Sequence, residues 1–266
     1  TSVGASSLTA NTTGASNTAM GNNAMAANTT GQGEAFGLGA LTAQTTGSEN
    51  VAVGLNAFSA VTTGTSSVGI GKLAGSALTT GGDSVYIGRS AGNAVTTGAN
   101  NIFIGSFAGV GSNPGASSGS DANKIAIGNA SAGEAHIQID WTVASDKRDK
   151  TDVTPLDMGL DFINKLEPVT YKWDKRARYA EGETPDGTHK ESWTDVGFLS
   201  QDVEEIEAEF GHKIEDETNL TTYMSEDAKA YGLTYAKFIP MLVKSIQELS
   251  TQVDELKQEL LALKGE

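Results

Sequence analysis

The chain has 266 residues and a formal net charge of −15, with 33 acidic residues against 18 basic ones. This balance, with no basic run to offset it, argues against binding to nucleic acid or to an anionic membrane surface. Cysteine is absent, which excludes disulfide frameworks and thiolate metal sites. No apolar run approaches the roughly 20 residues of a membrane helix, so membrane insertion is not expected.

Composition changes abruptly near residue 145, which predicts two modules. Residues 1–144 carry three basic and six acidic side chains, a net charge of −3, and residues 145–266 carry the other −12. Glycine has the opposite bias, since 25 of the 32 lie before Ser145. We therefore predict domains at 1–144 and 145–266. Because the chain begins at Thr1 rather than Met, we expect it to be a piece of a longer protein.

The first module is a repeat array. Thr-Thr-Gly recurs with its glycines at 14, 31, 47, 64, 81 and 98, and a second glycine follows each of them at 21, 37, 54, 71, 88 and 105. Short alternating strands are predicted between the two glycines, at 51–53, 68–70, 85–87 and 102–104, with a degenerate copy at 125–128.

A fixed period predicts structural coils stacked on one another. Each coil has about three apolar side chains, too few for a core of its own, and three chains wound together would share these positions. The glycines mark corners where the backbone turns or approaches a neighbour closely. A disordered Gly/Ser/Thr linker is the alternative, but a linker would not place Val and Ile at a constant phase.

The element Asn50-Val51-Ala52-Val53-Gly54 and its copies cover roughly residues 10–130. The array resembles the left-handed β-roll heads of trimeric autotransporter adhesins and the shafts of phage fibres, and this resemblance implies a trimeric β-solenoid. An insertion at 110–122 interrupts the repeat. We expect it to project and to contact a host cell-surface glycan or protein receptor, because variable contacts usually lie on loops held by a rigid scaffold. The alternative is a structural insertion between coils.

The second module has mixed helix and strand patterns. Thr154-Pro155-Leu156-Asp157 predicts a helix start, with a capping threonine and a proline in the first turn. One apolar face of that helix is marked by Leu156, Leu160, Ile163 and Leu166, before Pro168. Alternation then predicts strands through Val169, Tyr171 and Trp173 and through Val196 and Phe198. A short helix follows, with Val203, Ile206 and Phe210 directed inward.

The final segment, 237–264, predicts a heptad helix. Its apolar residues step by three and four along the chain: Ile239, Leu242, Ile246, Leu249, Val253, Leu256, Leu260 and Leu263. The alternative is an amphipathic helix packed on its own domain, but eight consecutive seam positions favour self-association. The number of strands stays open, because Ile or Val at a with Leu at d favours two strands whereas a β-roll of this kind needs three.

Four stretches of the second module resemble the intramolecular chaperone domain of phage endosialidases and tail fibres, the S74 peptidase family. They are 145–150 (Ser-Asp-Lys-Arg-Asp-Lys), 166–173 (Leu-Glu-Pro-Val-Thr-Tyr-Lys-Trp), 197–203 (Gly-Phe-Leu-Ser-Gln-Asp-Val) and 235–249. The resemblance implies a domain that helps a fibre to trimerise and then cuts itself off at the bond Ala144–Ser145. It implies Ser145 as the nucleophile and Lys150 as the general base, with Asp146 and Arg148 as a supporting motif.

A serine–lysine pair is a coherent peptidase chemistry. The hydroxyl needs a base before it can attack a carbonyl, and serine–lysine pairs are a known variant of that arrangement. The lysine must be neutral, so its pKa must fall from about 10.4 through burial or nearby positive charge. Lys147 and Arg148 would supply positive charge, whereas Asp146 and Asp149 would oppose it. The sequence alone does not decide whether these charges together raise or lower the pKa of Lys150.

Other catalytic or binding constellations are not predicted. His136, His189 and His212 are isolated and lack metal-ligand spacing. The dinucleotide-like run Gly69-Ile70-Gly71-Lys72 lies inside the repeat and has no helix pattern after it. We therefore expect neither a metal nor a cofactor.

Together these patterns predict a mainly β N-terminal repeat solenoid, as a trimeric β-roll, followed by a smaller α+β chaperone domain with a C-terminal coiled-coil helix. The expected protein is the C-terminal part of a phage tail fibre or related virion appendage, a homotrimer assembled in the host cytoplasm. One alternative is a bacterial trimeric surface adhesin, which a C-terminal membrane anchor would distinguish. Another is the non-catalytic end of a polysaccharide depolymerase whose catalytic domain would lie upstream of Thr1.

Overall fold

The structure is a computed structural model that describes residues 1–111, 117, 119–129, 131–132, 135–136, 138, 141–180, 182–224 and 231–265. The chain divides into two compact units. The first contains Thr1–Glu134 together with Lys175–Asp186, and the second contains Ala135–Asp174, Gly187–Met224 and Tyr231–Glu266.

The first unit is a parallel β-solenoid. Its strands are β1 (Ser2–Val3), β2 (Thr18–Met20), β3 (Gly33–Phe36), β4 (Asn50–Val53), β5 (Val68–Ile70), β6 (Val85–Ile87), β7 (Ile102–Ile104) and β8 (Ile125–Ile127). They form one parallel sheet in sequence order. The register follows the repeat, since Val51 pairs with Val68 and Val68 pairs with Val85. The strands predicted from the repeat are confirmed, and so is the mainly β class.

Glycine at the corner after each strand lets successive coils approach closely. Gly54, Gly71 and Gly88 have φ angles of +132°, +129° and +130°, a conformation that L side chains rarely adopt. A Cβ on Gly71 would also lie 2.6 Å from the carbonyl oxygen of Gly88. The corner position of the repeat therefore depends on both the backbone conformation and the spacing between coils.

The core of the solenoid is formed within a single chain. Phe58, Tyr86 and Phe103 are fully buried, and ring centroids lie 5.9 Å apart for Phe58 and Tyr86 and 5.3 Å apart for Tyr86 and Phe103. Large and small residues compensate for one another. A Cβ on Gly69 would lie 2.7 Å from the Phe58 ring, and a Cβ on Gly92 would lie 2.8 Å from the Tyr86 ring. Each large ring thus occupies the space that a neighbouring glycine leaves free.

A buried polar column accounts for the Asn or Ser at or just before the start of the repeat strands β4 to β7. The Asn50 side-chain oxygen accepts a hydrogen bond from the Ser67 N–H at 3.1 Å, and the Ser67 hydroxyl accepts one from the Ser84 N–H at 3.2 Å. The Ser84 hydroxyl accepts from the Asn101 N–H at 3.1 Å. Each side chain therefore satisfies a buried N–H of the next coil, a group that would cost about 1–3 kcal/mol if it stayed unpaired.

The Val and Ile side chains at the strand ends point away from this core in the single chain. Ile87 and Ile104 are 36% and 38% exposed. We call the exposed apolar column at the ends of successive strands the outer apolar face, and it consists of Met20, Phe36, Val53, Ile70, Ile87, Ile104 and Ile127. The strand pattern thus buries its central residue within one chain and leaves its last residue partly exposed.

The predicted insertion at 110–122 lies partly outside the described residues, which omit 112–116 and 118. At its far end Gly119 accepts a hydrogen bond from the Thr96 N–H at 2.8 Å and bridges Val95. Asp121 is 5% exposed and pairs with Lys124 at 2.8 Å. This end continues the stacking of the coils, and the projection of the insertion and its contact with a receptor stay predictions.

The second unit is α+β. It contains α1 (Leu160–Lys165), β9 (Val169–Tyr171), β10 (Asp195–Gly197), α2 (Ser200–Glu209), β11 (Thr222–Met224), β12 (Tyr231–Leu233) and α3 (Phe238–Lys264). Strand β9 pairs antiparallel with β10, and β11 with β12. The core consists of Met158, Phe162, Val203, Phe238 and Met241. Among the described residues, no helix has both the length and the apolar character that crossing a membrane requires.

The first helix of this unit begins later than the sequence indicates. Thr154 does not cap it, because residues 153–158 are not helical and α1 begins at Leu160. The start is capped from a distance instead, since Glu248 of α3 accepts a hydrogen bond from the Leu160 N–H at 2.7 Å. Met158 is fully buried just before this point. A tertiary cap and the burial of Met158 thus override the local capping pattern at Thr154.

Helix α3 has two different faces. Phe238, Met241 and Ser245 are buried within the second unit. The eight heptad residues lie elsewhere on the helix and are 41% to 72% exposed: Ile239, Leu242, Ile246, Leu249, Val253, Leu256, Leu260 and Leu263. The helix therefore packs on its own unit through a face other than the heptad seam.

Candidate functional site

A short turn brings Ser145 and Lys150 into direct contact. A 3-10 helix spans Lys147–Asp149, and the Lys150 N–H closes it with a bond to the Lys147 carbonyl oxygen at 3.3 Å. This turn places Lys150 Nζ at 2.6 Å from Ser145 Oγ, with the ammonium donating to the hydroxyl. The two residues that the sequence resemblance paired as nucleophile and base are thus hydrogen-bonded.

Asp146 and Arg148 hold the turn together. Asp146 precedes the 3-10 helix, and its Oδ1 accepts from the Arg148 N–H at 2.9 Å. The Arg148 guanidinium also donates to the same carboxylate, with Nη2 at 2.6 Å from Oδ2. These hydrogen bonds hold the pKa of the Asp146 carboxyl below its usual value. Arg148 therefore forms an ion pair with Asp146. The Asp146 carboxylate offsets the positive charge that Arg148 would otherwise bring near Lys150.

The whole junction is exposed in the single chain. Ala144, Ser145 and Lys150 are all exposed, and Trp141 and Val143 just upstream are 75% and 81% exposed. A base must be neutral before it can take the serine proton, and a lysine side chain is more readily neutral when it is buried. The arrangement thus has the contact that the chemistry needs, and it lacks the burial that would favour a neutral amine.

Two carboxylates with structural contacts were not singled out in the sequence. Glu207 of α2 is fully buried, and Glu248 of α3 caps α1. A weak signal existed for Glu207, which lies one helical turn after the buried Val203 on the same face. Nothing in the sequence indicated the capping role of Glu248, because its partner Leu160 is 88 residues away.

The histidines show no metal arrangement. His212 has its Nδ1 at 3.1 Å from the Thr218 carbonyl oxygen and its Nε2 at 3.6 Å from the Asp157 carboxylate. Within the ranges that the structure describes, no group of three or more His, Asp or Glu side chains is placed to hold a metal ion.

Comparison with known protein families gives a match to part of the chain. A family model described as Peptidase_S74, chaperone of endosialidase, matches residues 145–212. The matched region begins at Ser145, includes Lys150 and extends through α1, β9, β10 and α2. Searches of curated proteins and of solved structures found no match. The family match supports an intramolecular chaperone role, associated with a fibre, for the second module.

Proposed function

We propose that this chain is the C-terminal part of a homotrimeric phage tail fibre or related virion appendage, assembled in the host cytoplasm. Residues 1–144 act as the shaft. Residues 145–266 act as a chaperone that promotes trimerisation and folding and then releases itself at Ala144–Ser145. The observation that carries this proposal is the 2.6 Å contact between Lys150 Nζ and Ser145 Oγ, at the first residues of the family match.

A fibre of this kind needs assistance in assembly for a physical reason. Interchain β structure has high contact order, and its incomplete intermediates expose edges and apolar surface that aggregate. A terminal domain that associates first raises the local concentration of the three shafts and aligns them. The outer apolar face and the α3 seam are the two surfaces that such an assembly would bury, and large exposed apolar surfaces often mark interaction sites.

The cleavage step can be written with the residues at hand. Neutral Lys150 takes the Ser145 hydroxyl proton, and Oγ attacks the Ala144 carbonyl carbon. The C–N bond breaks, the Ser145 nitrogen gains a proton and leaves as an amine, and an ester links Ala144 to Ser145 Oγ. Water then hydrolyses the ester, which yields an Ala144 carboxylate and restores the Ser145 hydroxyl. Release in this way removes the chaperone from the folded shaft and leaves the fibre kinetically trapped.

The exposure of the site in one chain suggests when the reaction occurs. A neutral lysine is favoured by burial, and the junction is exposed in the single chain. Assembly of three chains would cover the junction and lower its local dielectric constant. Cleavage would then follow trimerisation, so that a monomer does not lose its chaperone before the fibre forms.

Intact-mass analysis of the expressed chain tests the proposal. Wild type is expected to give a fragment that begins at Ser145, and Ser145→Ala a single uncut chain. Lys150→Ala should also block cutting, and Lys150→Arg should not restore it, because arginine stays protonated. Lys190→Ala is the control, since Lys190 is an exposed lysine outside the 145–150 turn, and it should still cut. A fragment that begins at another residue would overturn the assignment.

A further inference from the structure

Glu248 connects the C-terminal helix to the segment that follows the candidate site. Its Oε2 accepts from the Leu160 N–H at 2.7 Å, and its Oε1 lies 2.7 Å from Lys244 Nζ. The hydrogen bond from Leu160, together with the contact from Lys244, holds the pKa of the Glu248 carboxyl below its usual value. Gly159 makes the approach possible, because a Cβ there would lie 2.7 Å from the Glu248 carboxyl carbon.

Glu248 lies on α3 between the face buried in the second unit and the exposed heptad seam. Ser245, one turn earlier on the same side of the helix, is buried, whereas the adjacent seam residues Ile246 and Leu249 are 66% and 49% exposed. One turn of α3 therefore faces α1 on one side and presents the heptad seam on the other. The Glu248 carboxylate and the seam residues Ile246 and Leu249 therefore lie on the same turn of α3.

The other end of the connection leads directly to Lys150. Residues 151–158 are not helical, and Leu160 begins the first regular helix after the Ser145–Lys150 turn. The Glu248 hydrogen bond thus fixes the point at which this irregular segment joins α1. A charge-assisted cap is among the stronger hydrogen bonds, and it replaces the local cap that Thr154 does not provide.

We propose that Glu248 is a positioning residue that couples association of the α3 seam to the geometry of the Ser145–Lys150 pair. The coupling rests on the proposed function, because it concerns the same cleavage. Association of the seam orders the turn at 245–249, the ordered carboxylate anchors Leu160, and the anchored segment holds Lys150 against Ser145. Without the carboxylate, the contact forms in a smaller fraction of assembled molecules, and cleavage slows although the seam is intact.

Cell-free translation of the full chain, sampled over time, tests this coupling. Glu248→Ala is expected to slow cleavage about tenfold relative to wild type, the size of effect expected when a hydrogen bond to a charged group is lost. Light scattering should show the same oligomeric mass as for wild type. Glu248→Gln keeps an oxygen acceptor for the Leu160 N–H and should restore most of the rate. Glu255→Ala is the matched control, since Glu255 is exposed and lies one heptad further along α3.

Amide hydrogen exchange of residues 160–165 in the same samples provides a readout that does not require cleavage. Glu248→Ala should raise exchange there, whereas Glu255→Ala should not. Unchanged cleavage in Glu248→Ala, or loss of the oligomer together with cleavage, would contradict a positioning role. If the wild-type chain is never cut, the proposed self-cleavage fails, and the exchange data alone decide whether Glu248 anchors α1. Equal exchange in wild type and Glu248→Ala would then overturn the anchor itself.

Discussion

At the scale of single residues, the Ser145–Lys150 pair is a local structure. Asp146 caps the 3-10 turn through the Arg148 N–H, and the turn carries the lysine back to the serine. The hydrogen bonds within this turn join residues that are at most five positions apart. A short motif therefore specifies the turn, whereas the next helix along the chain is capped by a residue of α3.

Glu207 is a fully buried charged residue of the second unit. Its side chain is fully buried on α2, and its Oε1 lies 2.6 Å from both the N–H and the hydroxyl of Thr221. Its Oε2 lies 2.6 Å from the Thr222 hydroxyl. The carboxylate thus joins α2 to the start of β11, and its burial is compensated by three donors.

Replacement of this carboxylate should destabilise the second unit. Glu207→Ala leaves buried donors at Thr221 and Thr222 without their acceptor, so we expect a loss of about 3 kcal/mol or more in unfolding free energy. Denaturant unfolding of the intact chain, followed by near-UV circular dichroism, measures the loss. Glu205→Ala, at an exposed position on the same helix, should stay within about 0.5 kcal/mol of wild type. Equal stability of the two variants would show that the buried contacts are not needed.

At the scale of elements, α3 combines two functions on one helix. Its first turns supply Phe238 and Met241 to the core of the second unit, and its seam remains exposed along the whole length of the helix. An isolated helix with such a seam would gain by association with copies of itself. The helix thus contributes to the core of its own unit and presents an exposed apolar seam.

Polar substitutions in the seam should reduce assembly and cleavage together. Leu249→Gln with Leu256→Gln removes two buried contacts from every strand of the expected coil, about 2–5 kcal/mol for each residue in each chain. Size-exclusion light scattering and gel analysis of the same samples measure trimer and cut fraction. Ala262→Gln, exposed and off the seam, serves as the control and should change neither. Efficient cleavage in a monomeric double variant would show that the two steps are independent.

At the scale of the whole molecule, the solenoid has a core within one chain and a second apolar surface outside it. The first is built from buried strand centres such as Tyr86 and Phe103, and the second is the outer apolar face. We expect the second surface to be the one that three chains share. Alternating residues of the same strands thus form the core of one chain and its exposed apolar surface.

Charged substitutions on the outer apolar face should abolish the soluble trimer. Ile87→Asp or Ile104→Asp would bring three carboxylates into one apolar contact, and an unpaired buried charge is strongly unfavourable. Solubility and light scattering of the purified chain measure the effect. Thr97→Asp, an exposed position away from the strands, should leave the trimer intact. If residues 1–144, made without the second module, fold equally well as a monomer, the shared contact is not needed.

The sequence alone determined the features that depend on repetition or on near neighbours. The repeat predicted strands at 51–53, 68–70, 85–87 and 102–104 and their corner glycines, because each coil meets the same constraints as the next. The structure has these strands, and β4 begins one residue earlier, at Asn50. The heptad spacing located the long helix, and the six-residue motif placed Lys150 beside Ser145. These features were predictable because the groups that produce them are close in sequence or recur at a fixed period.

Only the tertiary structure decided which partners meet across long separations. It showed that α1 begins at Leu160 because Glu248 caps it, that Glu207 is buried against Thr221, and that Phe58 occupies the space left by Gly69. It also separated the strand centres, which one chain buries, from the Ile side chains, which one chain leaves exposed. The physical reason is the same in each case. Burial and long-range hydrogen bonds depend on how elements pack, and packing brings together residues whose spacing in the sequence carries no period.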